Sequence, residues 1–315
     1  MTRFTNNNNL SLPIAVWTLM DNYNYDKREN VISATTLLKP VRQICLGMKF
    51  KDNLKVIDAS DLINSSMGTA LHDSVEKAWK NEEKTKAILR ELGYSEALYD
   101  EVVLERRSEK EINGYIISGQ FDIAFRGTVC DIKSTSVWSY IFGSKDEDYK
   151  LQMSIYKWLN QDIITDDKGY IEFIFTDWSA VKAMQDKQYP QSRIMTKEIR
   201  LLSIEETEKF IVDKLAEVDR NKILDEKKIV KCTDEDLWLE PTVWKHYKTG
   251  DTTKRATKVY DSYEESTKAI GGKVVEFKGS AKRCSYCNYI NICSQYIELK
   301  VKGQIKWVKK HKLLS

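Results

Sequence analysis

Apolar residues recur with two periods along the chain, and each change of period marks an element. In "GTALHDSVEKAWKNEEKTKAILRELG", Ala70, Leu71, Val75, Ala78 and Trp79 repeat with helical spacing and Gly93 supplies a stop, so a helix is expected up to that glycine. "EVVLERRSEKEI", "YIISGQFDIAF" and "GTVCDIKS" then read as strands separated by the turn-forming pairs Asn113-Gly114 and Arg126-Gly127, an antiparallel meander. The helical period returns in "EDYKLQMSIYKWLNQD", and "GYIEFIFTDWS" and "RIMTKEIRLL" read as strands. "SIEETEKFIVDKLAEVDRN" opens with Ser203 three residues before Glu206, a capping box that starts a helix. The order α, β, β, β, α, β, β, α predicts an α/β fold, a mixed central sheet flanked by helices.

The flanks are less regular. "LPIAVWTLMDNYNYD" and "ISATTLLKPVRQICLGMKF" form a helical N-terminal segment in which Ser33 caps a helix that Pro40 interrupts or restarts. After about residue 225 the pattern weakens into "KCTDEDLWLEPTVWKHYKTGDTTKRATKVYDSYEES", a cysteine cluster and a basic tail, which read as a small appended lobe. The expected division is 1–67 for the helical segment, 68–225 for the core and 226–315 for the lobe. A chain of 315 residues with 42% hydrophobic and 31% charged residues is globular in composition. Fifty basic against forty-seven acidic residues leave only +3, so attraction to nucleic acid must come from local patches. No apolar run approaches the ~20 residues of a membrane span, and "MTRFTNNNNLSLP" lacks the character of a signal peptide. The expectation is a cytoplasmic protein with no membrane partner. Six cysteines are too sparse for a disulfide scaffold, so a clustered subset points to metal.

Charge inside the meander carries the chemistry. If Arg126 and Gly127 form a two-residue loop, Phe125 faces Thr128, and counting outward places Asp122 opposite Asp131. Two opposed carboxylates repel unless one is protonated or a cation holds them. Lys133, two residues beyond Asp131, projects from the same face. Oxygen ligation of this kind suits Mg²⁺ or Mn²⁺, which polarise a phosphate and lower the pKa of a bound water, while a lysine orients the water and stabilises developing charge. The arrangement asks for a phosphodiester.

"GQFD", then "DIK", then "QMSIY" together resemble the GxxD, DxK and QxxxY motifs of the PD-(D/E)XK nucleases, specifically the RecB-like branch. That branch also carries a histidine on an upstream helix, matched by His72 in "GTALHDSVE". The resemblance covers roughly Ser33 to Arg220 and implies a restriction-endonuclease-like core. It further implies that Asp122, Asp131 and His72 ligate the metal, with the backbone carbonyl of Ile132 completing the shell, and that Lys133 is the catalytic lysine. Gln152 and Tyr156, at i and i+4 on one helical face, would contact DNA near the scissile phosphate. Glu76, one turn beyond His72, either reaches the same site or stays solvated beside Lys77.

"RCSYCNYINIC" presents Cys284, Cys287 and Cys293, three thiols at one point that lack a fourth partner. RecB-like nucleases with an iron–sulfur cluster have this C-terminal triplet and an upstream cysteine, usually just before a proline. Here Lys39 stands before Pro40 and Cys45 follows six residues later. Cys232, in "VKCTDEDLW", resembles instead a segment of phage-encoded PD-(D/E)XK exonucleases, whose opening and "KRA" stretch are also similar to this chain. Cys232 is therefore the preferred fourth ligand and Cys45 the alternative. The ligand set alone suits either a [4Fe–4S] cluster or Zn²⁺, and the resemblance favours the cluster. Cys130 is expected to face the core.

Basic residues alternate with aromatics in "WKHYKTGDTTKRATKVY" and in the tail "IKWVKKHK", which includes His311, a mixture suited to phosphate contact and base stacking. The resulting expectation is a metal-dependent DNA exonuclease acting at ends during phage-type recombination or replication, with DNA and proteins of those processes as partners. A non-catalytic DNA-binding protein on the same fold and a structure- or sequence-specific endonuclease are the alternatives. Metal-dependent cleavage of linear DNA separates the first, and closed circular DNA the second.

Overall fold

A computed structural model describes residues 2–20, 26, 28–51 and 55–305. The tail from residue 306 on, including His311, lies outside the described residues. From the N-terminus run β1 (Thr2–Thr5), α1 (Leu12–Leu19), β2 (Val31–Ser33), α2 (Ala34–Leu37), α3 (Val41–Lys49) and β3 (Lys55–Asp58). Then come α4 (Ile63–Trp79), α5 (Glu82–Glu91), β4 (Val102–Leu104), β5 (Arg107–Ile112), β6 (Tyr115–Gln120), β7 (Ile123–Phe125) and β8 (Thr128–Thr135). They are followed by α6 (Val137–Phe142), α7 (Asp146–Leu159), β9 (Lys168–Phe175), α8 (Ala180–Gln185), β10 (Ile194–Arg200) and α9 (Ile204–Lys222). The C-terminal part holds α10 (Asp234–Leu237), β11 (Val243–Tyr247), β12 (Lys258–Tyr260), α11 (Tyr263–Ser266), β13 (Lys273–Phe277) and α12 (Ser294–Val301). No described helix is long and apolar enough to cross a membrane.

The chain separates into two compact units, Met1–Lys39 with Asp52–Ala216, and Pro40–Lys51 with Glu217–Ser315. The segment 1–67 is thus shared between the units instead of forming one piece. The cause is α3, whose Val41, Ile44, Cys45 and Leu46 form one apolar cluster with Val218 and Ile229. Such a long-range contact leaves no mark on local periodicity.

In the first unit a five-stranded mixed sheet has the order β10-β9-β8-β7-β4, in which β8 and β9 run parallel and the other neighbours antiparallel. A second mixed sheet has the order β2-β6-β5. Helices cover the strands, and Phe121, Ile117, Met153, Ile155, Phe173 and Trp158 are among the fully buried side chains. Burying an apolar side chain of this size contributes ~1.5–3 kcal/mol, so this interior fixes the strands that bear the charged residues.

Three expectations need correction. The run to Gly93 is two helices, because Asn81 ends the first turn pattern and caps α5 with its side chain accepting from Lys84 N at 3.3 Å. The meander of three strands is five, since both arms of the hairpin closed by Asn113-Gly114 break midway, at 105–106 and at 121–122, and pass from one sheet to the other. Cys130 is half-buried, not in the core. The turns themselves are as read: Asn113 and Gly114 have φ +50° and +78°, Arg126 and Gly127 +50° and +84°, the doubly positive pattern of a two-residue hairpin loop. Ser33 caps α2, Pro40 begins α3, and Ser203 and Glu206 exchange the two hydrogen bonds of a capping box.

Candidate active site

The charged residues meet where the hairpin changes sheets. On one side of the break Leu104 opposes Ile123, and on the other Arg107 opposes Gln120, so the register is unchanged and Glu105 opposes Asp122. The backbone N–H of Glu105 donates to the Asp122 carbonyl at 2.9 Å. Glu105 has φ +48°, a strained conformation for a residue with a Cβ, and the strain is held exactly where the chain changes sheets. The next strand pairs Ile123 with Cys130, so its register sets Asp131 beside Asp122. Three acidic residues, Glu105 and Asp122 at the two breaks and Asp131 on β8, therefore stand in a row.

The Asp122 carboxylate accepts from the Ile132 N–H at 2.9 Å and lies 3.3 Å from His72 Nδ1 of α4. Burial disfavours its charge, but His72, Lys133 and the Ile132 N–H together hold its pKa below the usual carboxylate range. The same hydrogen bond to Asp122 raises the His72 pKa against the effect of burial. Asp131 is 1% exposed, and burial drives its pKa upward against the pull of Lys133. Its Oδ2 forms an ion pair with Lys133 Nζ at 2.5 Å. Lys133 is pushed down by burial but pulled up more strongly by Asp131 and Asp122, so it is an ammonium at neutral pH.

Among the described residues, His72, Glu105 and Asp122 are a set of three whose ligand atoms all lie within 4.8 Å of one another. They line a cavity of about 10 Å³ together with Val75, Glu76 and Ile132, room for a single ion or water. Burial, with the charges of Asp122 and Glu76, raises the Glu105 pKa against the hydrogen bond from Gln120 Nε2 at 2.5 Å. Glu105 is not among the ligands expected from the sequence. Glu76 lines the cavity but pairs with Lys80 at 2.5 Å one turn along α4.

Two carboxylates and an imidazole whose ligand atoms lie within 4.8 Å of one another, beside a third, buried carboxylate, are a donor set that fits Mg²⁺ or Mn²⁺. His72, Glu105 and Asp122 are the residues whose ligand atoms close on one another and would hold it; Asp131, an expected ligand, stands beside Asp122 in register but is neither in that set nor in the cavity wall, and Ile132 lines the cavity. Gln152 Nε2 donates to the Tyr156 hydroxyl at 2.7 Å, and Tyr156 is buried against β6. A Cβ on Gly119 would come within 2.8 Å of Leu159 and 3.1 Å of the Tyr156 ring, so the glycine of "GQFD" is what lets α7 seat on β6.

In the second unit, Cys232, Cys284, Cys287 and Cys293 line one cavity of about 40 Å³. Gln295 of α12 fixes Cys232 by both halves of its amide: the Cys232 N–H donates to Oε1 at 2.8 Å, and Nε2 donates to the Cys232 carbonyl at 2.8 Å. Burial, Asp236 and Cys293 raise the Cys232 thiol to about 12, and burial with Cys287 raises Cys284 to about 11. Cys45 is fully buried in the apolar cluster of α3, and its thiol points at the Val218 carbonyl 3.8 Å away. The cysteine sulfurs are not among the sets that close within 4.8 Å.

No protein-family model matches the chain, and no curated protein matches it. Among solved structures, the chain is similar to SSO0001 at 21% identity, over 64% of this chain and 83% of that one, with a TM-score of 0.41. It is also similar to a phage-related exonuclease from Haemophilus somnus 129PT at 19% identity, over 60% of this chain and 92% of that one, with a TM-score of 0.36. Both likenesses are too loose to assign roles, which are read from the site itself.

Proposed function

We propose that the protein is a metal-dependent deoxyribonuclease of the RecB-like type that hydrolyses phosphodiester bonds at DNA ends, in recombination or replication of the phage type. The observation that carries this reading is the row of half-buried Glu105 and Asp122 and fully buried Asp131, with Asp131 paired to the ammonium of Lys133 at 2.5 Å. Nothing in a purely structural role calls for three adjacent carboxylates at a sheet junction, since like charges side by side destabilise a fold. Bound there, Mg²⁺ or Mn²⁺ would supply Lewis-acid polarisation of the phosphate and a water of lowered pKa. Lys133, an ammonium paired with Asp131, would stabilise negative charge that develops on the phosphate. His72 and the Ile132 N–H orient Asp122, and half-exposed Gln152 would approach the DNA, whereas Tyr156, expected to do the same, is buried against β6 and instead accepts from the Gln152 amide.

The second unit is proposed to carry a [4Fe–4S] cluster on Cys232, Cys284, Cys287 and Cys293. The amide clamp of Gln295 on Cys232 supports that residue over Cys45, whose thiol is sealed in an apolar cluster. Digestion of end-labelled linear DNA with Mg²⁺ or Mn²⁺ tests the first proposal, and Asp131→Ala or Lys133→Ala protein cleaving at the wild-type rate would refute the site. An absorption spectrum of anaerobically purified protein tests the second; a colourless, zinc-loaded sample would refute it.

A further inference from the structure

One charged side chain is buried against the cysteines. Arg42 of α3 is 2% exposed, and its guanidinium is engaged on every side. Nη1 donates to the Ile229 carbonyl at 2.8 Å, Nη2 donates to Ser294 Oγ at 3.1 Å and pairs with Glu226, and Nε donates to Cys293 Sγ at 3.2 Å. Glu226 also accepts from the Ser294 N–H at 2.9 Å, in the first turn of α12, where Cys293 is the N-cap. A carbonyl, a hydroxyl and a carboxylate are ordinary partners for a buried guanidinium. The sulfur is not. A neutral thiol is a weak acceptor, so aiming a cationic N–H at it gains little, whereas a ligating thiolate makes the same contact a charge-assisted hydrogen bond.

We propose that Arg42 is a positioning residue for Cys293 and sets the reduction potential of an iron–sulfur cluster held by Cys232, Cys284, Cys287 and Cys293. The proposal rests on the cluster reading above. A cation and an N–H donor beside a ligand sulfur favour the more negatively charged, reduced state, so Arg42 raises the potential, and the Glu226 carboxylate behind it moderates that effect. The four contacts also hold the Cys293 end of α12 against the loop at Ile229, so the ligand is placed before any metal arrives.

The test uses the full chain, reconstituted anaerobically with iron and sulfide, as wild type, Arg42→Lys, Arg42→Gln and Glu226→Gln. Iron and sulfide content, visible absorption, the rate of iron loss to a chelator and the midpoint potential are measured. Expected is a potential that falls in Arg42→Lys, falls further in Arg42→Gln, which also loses iron faster, and rises in Glu226→Gln, whose amide still offers Ser294 and Arg42 an acceptor. Potentials unchanged in all three variants would overturn the role of Arg42 while leaving the cluster standing. Wild-type protein that takes up neither iron nor sulfide would overturn the cluster reading and this one with it. Should the Arg42 variants fail to fold, the Glu226→Gln potential alone decides, with an upward shift supporting the proposal and no shift overturning it.

Discussion

At the scale of single residues, Asp122 is the hub, touching Ile132 N–H and His72 while standing between Glu105 and Asp131 in register. Lys133→Ala is expected to reduce the rate of metal-dependent cleavage by a factor on the order of 10² or more with little change in substrate affinity, measured by single-turnover digestion. Glu105→Gln is expected to raise the Mg²⁺ concentration for half-maximal cleavage about tenfold or more, and Glu76→Gln, already paired with Lys80, to leave it within about twofold. A metal titration of the two variants decides between the carboxylates. Much of this site is legible in the sequence. Counting outward from Arg126-Gly127 finds Asp122 beside Asp131, and the same count from Asn113-Gly114 would have found Glu105 opposite Asp122. Within "EVVLERRSEKEI" Glu105 is one of four glutamates, and no local signal reveals the one at positive φ.

At the scale of elements, the breaks are what the pattern hides. A run of alternating residues continues through Phe121 and Asp122 although the strand ends there, because the switch between sheets is imposed by packing on both faces and not by propensity. The break at Asn81 did carry a signal, an N-cap residue before acidic residues, which the surrounding helical period outweighed. Asn81→Ala is expected to cost about 1 kcal/mol, read from a denaturant melt. Gly119→Ala, which presses a methyl group against Tyr156 and Leu159, is expected to cost about 1–3 kcal/mol and to lower the melting temperature. A pH effect belongs to Asp58. Burial works against its charge, but bonds from the N–H groups of Asn7 and Ser60 and the hydroxyls of Ser60 and Thr5 depress its pKa to about 2. A depressed carboxylate pKa stabilises the fold above the unfolded value near 4 and loses that contribution as pH falls towards 2, an upper bound of roughly 2 kcal/mol before solvent screening. Asp58→Asn should therefore be less stable than wild type at pH 7, with the gap closing as pH falls through about 2.

At the scale of the whole molecule, the class of fold was legible and the division of the chain was not. Alternating periods predicted mixed sheets flanked by helices, whereas assignment of α3 to the second unit depends on Val41, Ile44 and Leu46 meeting Val218 and Ile229. The amide clamp of Gln295 on Cys232 spans sixty-three residues and is equally silent in the sequence. The two proposed sites would make separable demands, a divalent cation in the first unit and a cysteine-held group in the second. The central claim is hydrolysis at DNA ends by the carboxylate row. Its most direct test is digestion of end-labelled linear duplex and closed circular DNA of the same sequence by wild-type and Asp131→Asn protein, with Mg²⁺, with Mn²⁺ and with chelator. The predicted result is loss of label from linear DNA by the wild type only when a metal is present, with the circle intact and Asp131→Asn inactive. Wild-type protein that leaves linear DNA intact with either metal, or Asp131→Asn protein that degrades it at the wild-type rate, would contradict the account.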